Sequence, residues 1–189
     1  MSPLASTTPA EAEARLFGDA LSCELDLPVA IEPADGAGRQ AEAITLLSAL
    51  AHIEDLRKDD GSEDHGDLPL LAQRMDAKLD LILALLGRLA RRDDGLVDRR
   101  LHWSCHGLRV DLEPGQPLPP GAAAIVRLQP ADWLPDHLAL PATVVACEQG
   151  HAGTRVWLAF AGLRADLVEA LDRHLFRLHR RQVAEQRRR

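Results

Sequence analysis

The sequence predicts an α+β protein: a long heptad-repeat helix, an antiparallel β-barrel or sandwich after it, and a C-terminal helix. Three observations carry this. Apolar residues lie seven apart through residues 67–92. From Leu101 they recur with a period near two, in short runs separated by turn-formers. From Leu163 a four-residue leucine spacing takes over. These periods are those of a packed helix, a half-buried strand and a second helix. At 189 residues, 46% hydrophobic and 27% charged, the chain is long enough for one domain with an extension and a sizeable core. No apolar run approaches the roughly 18 residues of a spanning helix, which excludes an integral membrane protein.

Residues 1–66 read as an N-terminal unit of helices and one strand. Ala10 to Phe17 has a short helical pattern. Leu21 to Ile31 alternates apolar and polar residues as a strand does, and Pro28 places it at an edge or a bend. Ala41 to Leu56 has helical spacing through Ile44, Leu47, Leu50, Ala51 and Ile53, and Arg57-Lys58 suits the negative end of the helix dipole. The run Asp59 to Asp67 is a linker by composition. It fails as a calcium loop because its twelfth position is Leu70 rather than Glu.

In residues 67–92, Asp67 is placed to cap a helix and Pro69 fits its first turn. Leu68, Met75, Ile82 and Leu89 are seven apart, with Ala72, Leu79 and Leu86 between them. The steps alternate four and three, so the two series take the d and a positions of a heptad. Leu71, Leu81, Leu83 and Leu85 widen the apolar surface beyond what one partner covers. This helix is therefore the predicted seat of homo-oligomerisation, with more than two strands.

Residues 99–162 hold the short strands: Leu101 to Trp103, Leu108 to Leu112, Ala122 to Leu128, Leu138 to Cys147 and Arg155 to Phe160. Glu113-Pro114-Gly115, Pro119-Pro120-Gly121, Gln129-Pro130 and Glu148-Gln149-Gly150 separate them. Residues 163–189 form the closing helix, with a stripe of Leu163, Leu167, Leu171, Leu175 and Leu178 and a basic tail.

Composition narrows the function. The net charge is -7, with 15 acidic and 4 basic residues up to Asp67 against 4 acidic and 8 basic from Leu163 onward. An acidic front half argues against nucleic acid as the partner, since phosphate neutralisation dominates such binding. The terminal arginines read as a solvated helix end. Three scattered cysteines and a start without a basic patch and apolar stretch point to a reduced, cytoplasmic protein. His102, Cys105, His106, Cys147 and His151 are zinc-ligand types, but their spacings match no common zinc module. Phosphate-binding, nucleophile-elbow and metalloprotease motifs are missing from the sequence. A non-enzyme with no metal and no cofactor is expected.

The stretch Arg99-Arg100-Leu101-His102-Trp103-Ser104-Cys105-His106-Gly107-Leu108-Arg109-Val110 resembles the core signature of PilZ domains, bacterial receptors and adaptors for cyclic di-GMP. In that family an [Asp/Asn]-x-Ser-x-x-Gly motif joins two strands of a six-stranded antiparallel barrel, and an Arg-x-x-x-Arg element precedes it. Ser104 and Gly107 match; His102 stands at the Asp/Asn position. The heptad helix and the Leu-Ser-Cys-Glu-Leu stretch extend the likeness to an atypical, tetramer-forming PilZ subgroup. The resemblance implies a six-stranded PilZ-type barrel, a homotetramer, and a signalling adaptor with a protein partner.

The placement of the arginines shapes the expected site, and the family's arginine pair is not expected to serve this barrel. Arg74-x-x-x-Lys78 lies inside the heptad helix, Arg91, Arg92, Arg99 and Arg100 are wrongly spaced among themselves, and the Arg-x-x-x-Arg spacing of Arg88 and Arg92 falls at the end of that helix. Paired guanidiniums hold phosphates and guanine edges by forked, permanently charged contacts. Without them, cyclic di-GMP binding is expected to be weak or absent, at a degenerate site of Arg99, Arg100, His102, Ser104 and Gly107. Ser104 and Gly107 then serve the turn itself. The alternative is a direct receptor built on the non-standard residues Arg99, Arg100 and Arg109.

Overall fold

The structure, a computed structural model, describes residues 7–33, 38–59, 75, 78, 79, 82, 95–113, 118–131, 134, 136–150 and 153–187. Helix α1 (Pro9–Phe17) leads to β1 (Ser22–Pro33) and α2 (Gln40–Asp59). Strands β2 (Val97–Ser104), β3 (Gly107–Leu112), β4 (Ala123–Leu128), β5 (Leu138–Gln149) and β6 (Thr154–Phe160) follow, and α3 (Ala165–Gln186) ends the fold. The six strands close into an antiparallel barrel in the order β1-β2-β3-β6-β5-β4.

Closure depends on β1, which precedes the other strands by more than sixty residues. It pairs with β2 from Ser22 to Val29 and with β4 from Val29 to Pro33. Pro28 sits at the changeover. Its carbonyl accepts from the Gln129 amide on the β4 side. In a strand the N–H and C=O of one residue share a side, so the N–H that proline lacks would also face β4, where pairing begins only at Val29. Pro28 thus marks a change of partner inside a closed sheet rather than an edge.

Side chains alternate as the pleat requires. Cys23, Leu27, Val29 and Ile31 on β1, Leu101 and Trp103 on β2, Leu108, Val110 and Leu112 on β3, and Val156 and Leu158 on β6 fill the interior. Ala43 and Leu47 of α2 and Leu167, Leu171 and Leu175 of α3 belong to the same buried cluster, so both helices pack against the barrel interior. The predicted leucine stripe is the face that α3 buries. The Gln40 side chain ties the two helix starts together, donating to the Gly162 carbonyl (3.0 Å) and accepting from the Arg164 amide (2.8 Å). Farther along, buried Glu54 of α2 faces Arg177 and Arg181 of α3.

Of the heptad helix, Met75, Lys78, Leu79 and Ile82 are described, and all four are helical. Met75, Leu79 and Ile82, spaced i, i+4 and i+7, share one face and are about half exposed at 58%, 55% and 51%. The seam positions Leu68, Ala72, Leu86 and Leu89 lie outside the described residues.

His174 of α3 is fully buried. Its ring lies 5.7 Å from that of Trp103, and its Nε2 is 3.3 Å from the Pro130 carbonyl. Burial drives its pKa from the ordinary 6.5 to about 4; the Pro130 contact works the other way, while Arg181 and Arg177 add to the fall. Below pH 6.5 the unfolded chain takes up a proton that the folded chain refuses until about pH 4. Stability is therefore full above that window and falls as pH drops through it, by about 3 kcal/mol at 1.36 kcal/mol per pKa unit. Urea midpoints measured from pH 7.5 to 4.5 are expected to fall less steeply in His174→Phe than in the unmodified protein. Parallel slopes would show that this ring is not the titrating group.

Candidate functional site

The PilZ-like residues face outward. On β2 the odd positions, Leu101 and Trp103, point into the core, so Arg100, His102 and Ser104 project from the opposite face. Strand register extends this face sideways. Glu24 of β1 pairs with His102, His102 with Arg109 of β3, and Arg109 with Trp157 of β6. A β-bulge between Val144 and Ala146 shifts the register of β5 so that Ala146 meets Trp157 and completes the row. One rung along, Ser22, Ser104, Gly107 and Ala159 form a second row of small residues.

Helix α1 lies on these two rows. Its start is fixed by a capping box: the Thr8 hydroxyl accepts from the Glu11 amide (3.3 Å), and the Glu11 carboxylate accepts from the Thr8 amide (2.8 Å). Ala12 and Leu16 are fully buried against Ala146, Trp157 and Ala159, a second apolar cluster distinct from the barrel core. Gly107 makes the close approach possible. A Cβ there would collide with the Leu158 carbonyl and stand 3.0 Å from Leu16 Cδ2. Ser104, wholly buried, donates to the Leu16 carbonyl (2.7 Å) at the end of α1 and accepts from the His106 amide (3.1 Å) across its own turn.

Polar contacts complete the seat. Glu13 of α1 accepts from Trp157 Nε1 (2.6 Å) and Arg109 Nη1 (2.6 Å), and its Oε1 is 3.3 Å from His102 Nδ1. The His102 ring stacks on Phe17 of α1, centroids 3.8 Å apart, and its Nε2 is 2.9 Å from the Ser22 hydroxyl. Glu24 takes Arg100 (2.8 Å) and the second arm of Arg109 (3.3 Å). Partial burial pushes the Glu13 carboxyl up, but the bonds from Trp157, Arg109 and His102 outweigh it and hold the pKa below the usual carboxylate range. The Arg100 hydrogen bond is the main cause of a similar depression at Glu24.

Residues 47–188 match a family described as atypical PilZ domain, cyclic di-GMP receptor. The chain belongs to the atypical PilZ family. No curated protein matches it. It is 51% identical to a pathogenic protein of Xanthomonas campestris, with a TM-score of 0.75 over 95% of this chain and 99% of that one. That protein is a tetrameric PilZ domain self-assembled through an unusual helical bundle. Escherichia coli YcgR in complex with cyclic di-GMP is 18% identical, with a TM-score of 0.41 over 49% of this chain and 40% of that one. The Bacillus subtilis inhibitor of motility MotI is 12% identical, with a TM-score of 0.46 over 88% and 51%.

The barrel brings some of the expected PilZ site together and separates the rest. Arg100, His102, Ser104 and Gly107 share the α1-covered face. Arg99 does not. As an odd position on β2 it turns away from Arg100, bonds to the Asp111 carbonyl and Glu113 (both 3.4 Å), and lines a cleft of about 540 Å³ at the far end of β2 and β3. Asp111, Glu113 and Glu148 border that cleft beside Arg99 and Arg155. Among the described residues, three carboxylates stand against two guanidiniums there, which works against phosphate binding. Adjacency in sequence suggested a pair of arginines, and the pleat of the strand divides it.

Glu13, Leu16, Phe17 and Trp157 escaped the sequence reading because they reach the motif face only through the packing of α1. The one local signal was the spacing of Ala12 and Leu16, which marks an amphipathic helix without naming its target. Removing Glu13 leaves three donors without their shared acceptor, at roughly 1–3 kcal/mol for hydrogen bonds to a charged group. Glu13→Ala is expected to lower stability by about that amount and to accelerate amide exchange in α1 while barrel strands stay protected. Unchanged exchange at Ala14 to Phe17 would remove Glu13 from the account of how α1 is held.

Proposed function

We propose that this PilZ protein is a non-catalytic signalling adaptor, in the cytoplasm, that does not bind cyclic di-GMP tightly. The observation that carries the reading is the occupation of the motif face by α1. Ser104 spends its hydroxyl hydrogen on the Leu16 carbonyl, and Gly107 makes room for the Leu16 side chain. Arg100, His102 and Arg109 already meet Glu13 and Glu24. A dinucleotide on this face would have to displace the helix and strip two carboxylates from the cations. The Arg88-x-x-x-Arg92 pair that precedes the barrel lies outside the described residues.

Self-assembly through the heptad helix is the second part of the proposal. A face of Met75, Leu79 and Ile82 that is half exposed in the single chain gains by meeting other copies. The Xanthomonas campestris relative, which aligns over nearly the whole chain, is a tetramer built on a helical bundle. Four barrels on one bundle would give a partner repeated contacts, so that weak individual contacts add up to firm binding. The partner is expected to be a signalling protein.

Two measurements test the proposal. Calorimetric titration with cyclic di-GMP is expected to give no binding at micromolar concentrations. Micromolar affinity that disappears in an Arg100→Ala, Arg109→Ala variant would establish the rival reading of a direct receptor with non-standard residues. Light scattering is expected to show Leu79→Asp with Leu86→Asp falling from tetramer to monomer mass. An unchanged mass would take the helix out of the assembly.

A further inference from the structure

We infer that the outer face of β2, β3, β6 and β5 is a helix-docking site for a partner protein, and that α1 is its displaceable resident. This builds on the adaptor reading by naming the chemistry of the partner. The occupant that the site accepts is visible in the structure: a short helix with a small residue, a carboxylate and a bulky apolar pair on one side. The site matches each feature. Ala146, Trp157 and Ala159 bury Ala12 and Leu16. His102 stacks on Phe17, and Arg109, Trp157 and His102 converge on one carboxylate. A partner helix with the pattern Ala-Glu-x-x-Leu-Phe, as in Ala12 to Phe17, would make the same contacts.

Three features make the resident displaceable. Helix α1 is nine residues long, below the roughly 12–15 at which an isolated helix becomes stable in water, so it is helical because it is docked. Its buried apolar cluster is separate from the barrel core, so the barrel keeps its interior when α1 leaves. A short bend through Gly18, Asp19 and Ala20 joins it to β1, a joint at which it can swing away without breaking a strand pair.

Once Glu13 departs, Arg100, His102 and Arg109 stand in or beside one cross-strand row, with Glu24 and Asp26 of β1 as carboxylate neighbours. The two guanidiniums would also attract a phosphate-bearing ligand, against those carboxylates. The apolar floor under Ala12 and Leu16 and the row of small residues favour a helix, because a nucleotide would leave that floor uncovered.

The test uses the full chain and a fluorescent peptide spanning residues 7–20. In the intact protein α1 competes in cis, so the peptide binds weakly. In the full-length Glu13→Ala, Leu16→Ala variant, checked for a cooperative melt, affinity is expected to rise by about tenfold or more as the groove opens. A peptide carrying Glu13→Ala is expected to lose that gain. Equal affinity for the intact and opened chains, or for the two peptides, overturns the inference. So does displacement of the peptide from the opened chain by cyclic di-GMP, which would make the face a nucleotide site. Displacement by unlabelled full chain as effectively as by unlabelled peptide would assign the groove to a second copy and also overturn it.

Should the double variant not fold, hydrogen exchange on the intact protein decides. Amides of α1 are expected to open before those of β2 and β3, and exchange of all three only on global unfolding would overturn displaceability. Cyclic di-GMP binding to the intact chain is a separate result. It would end the adaptor reading and leave the peptide measurements to judge the groove.

Discussion

The carboxylate of Glu13 takes contacts from three strands at once, and the character of the motif face depends on it. His102, Arg109 and Trp157 belong to β2, β3 and β6, and register places them side by side across the sheet. A closed barrel buries one face of each strand and leaves the other to water or to whatever packs on it. On this side a nine-residue helix does the packing. Its buried area is small, with Ala12 and Leu16 the fully covered side chains, so the apolar gain is on the order of a few kcal/mol. The charged contacts orient it. Glu13 gives Arg109, Trp157 and His102 an acceptor on the side that would otherwise face solvent, and the helix in turn shields those contacts and strengthens them.

Much of the architecture was legible in the sequence because it follows from period. Alternation marked β1 before any partner strand was known, and the leucine stripe of α3 is the stripe it buries. What period does not carry is which outer surface meets which helix. Leu16 and Ser104 are 88 residues apart, and nothing local in either announces the other. The split between Arg99 and Arg100 was legible in principle. With Leu101 and Trp103 assigned to the core, the pleat already sends Arg100 outward and Arg99 to the other face. Assigning Arg99 and Arg100 to one site set that division aside.

The Ser-x-x-Gly signature illustrates what a short motif reports. Ser104 closes its own turn through the His106 amide, and Gly107 lets β3 pass close to the Leu158 carbonyl. Both are demands of backbone geometry, and both hold whether or not a ligand is present. The same geometry is what lets α1 approach, since a larger residue at Gly107 would push Leu16 away and a residue without a hydroxyl at Ser104 would strand the Leu16 carbonyl. Such a motif therefore identifies the turn and the family. Whether the face then takes a nucleotide or a helix depends on the side chains around it, and here those side chains present one carboxylate pocket and an apolar floor.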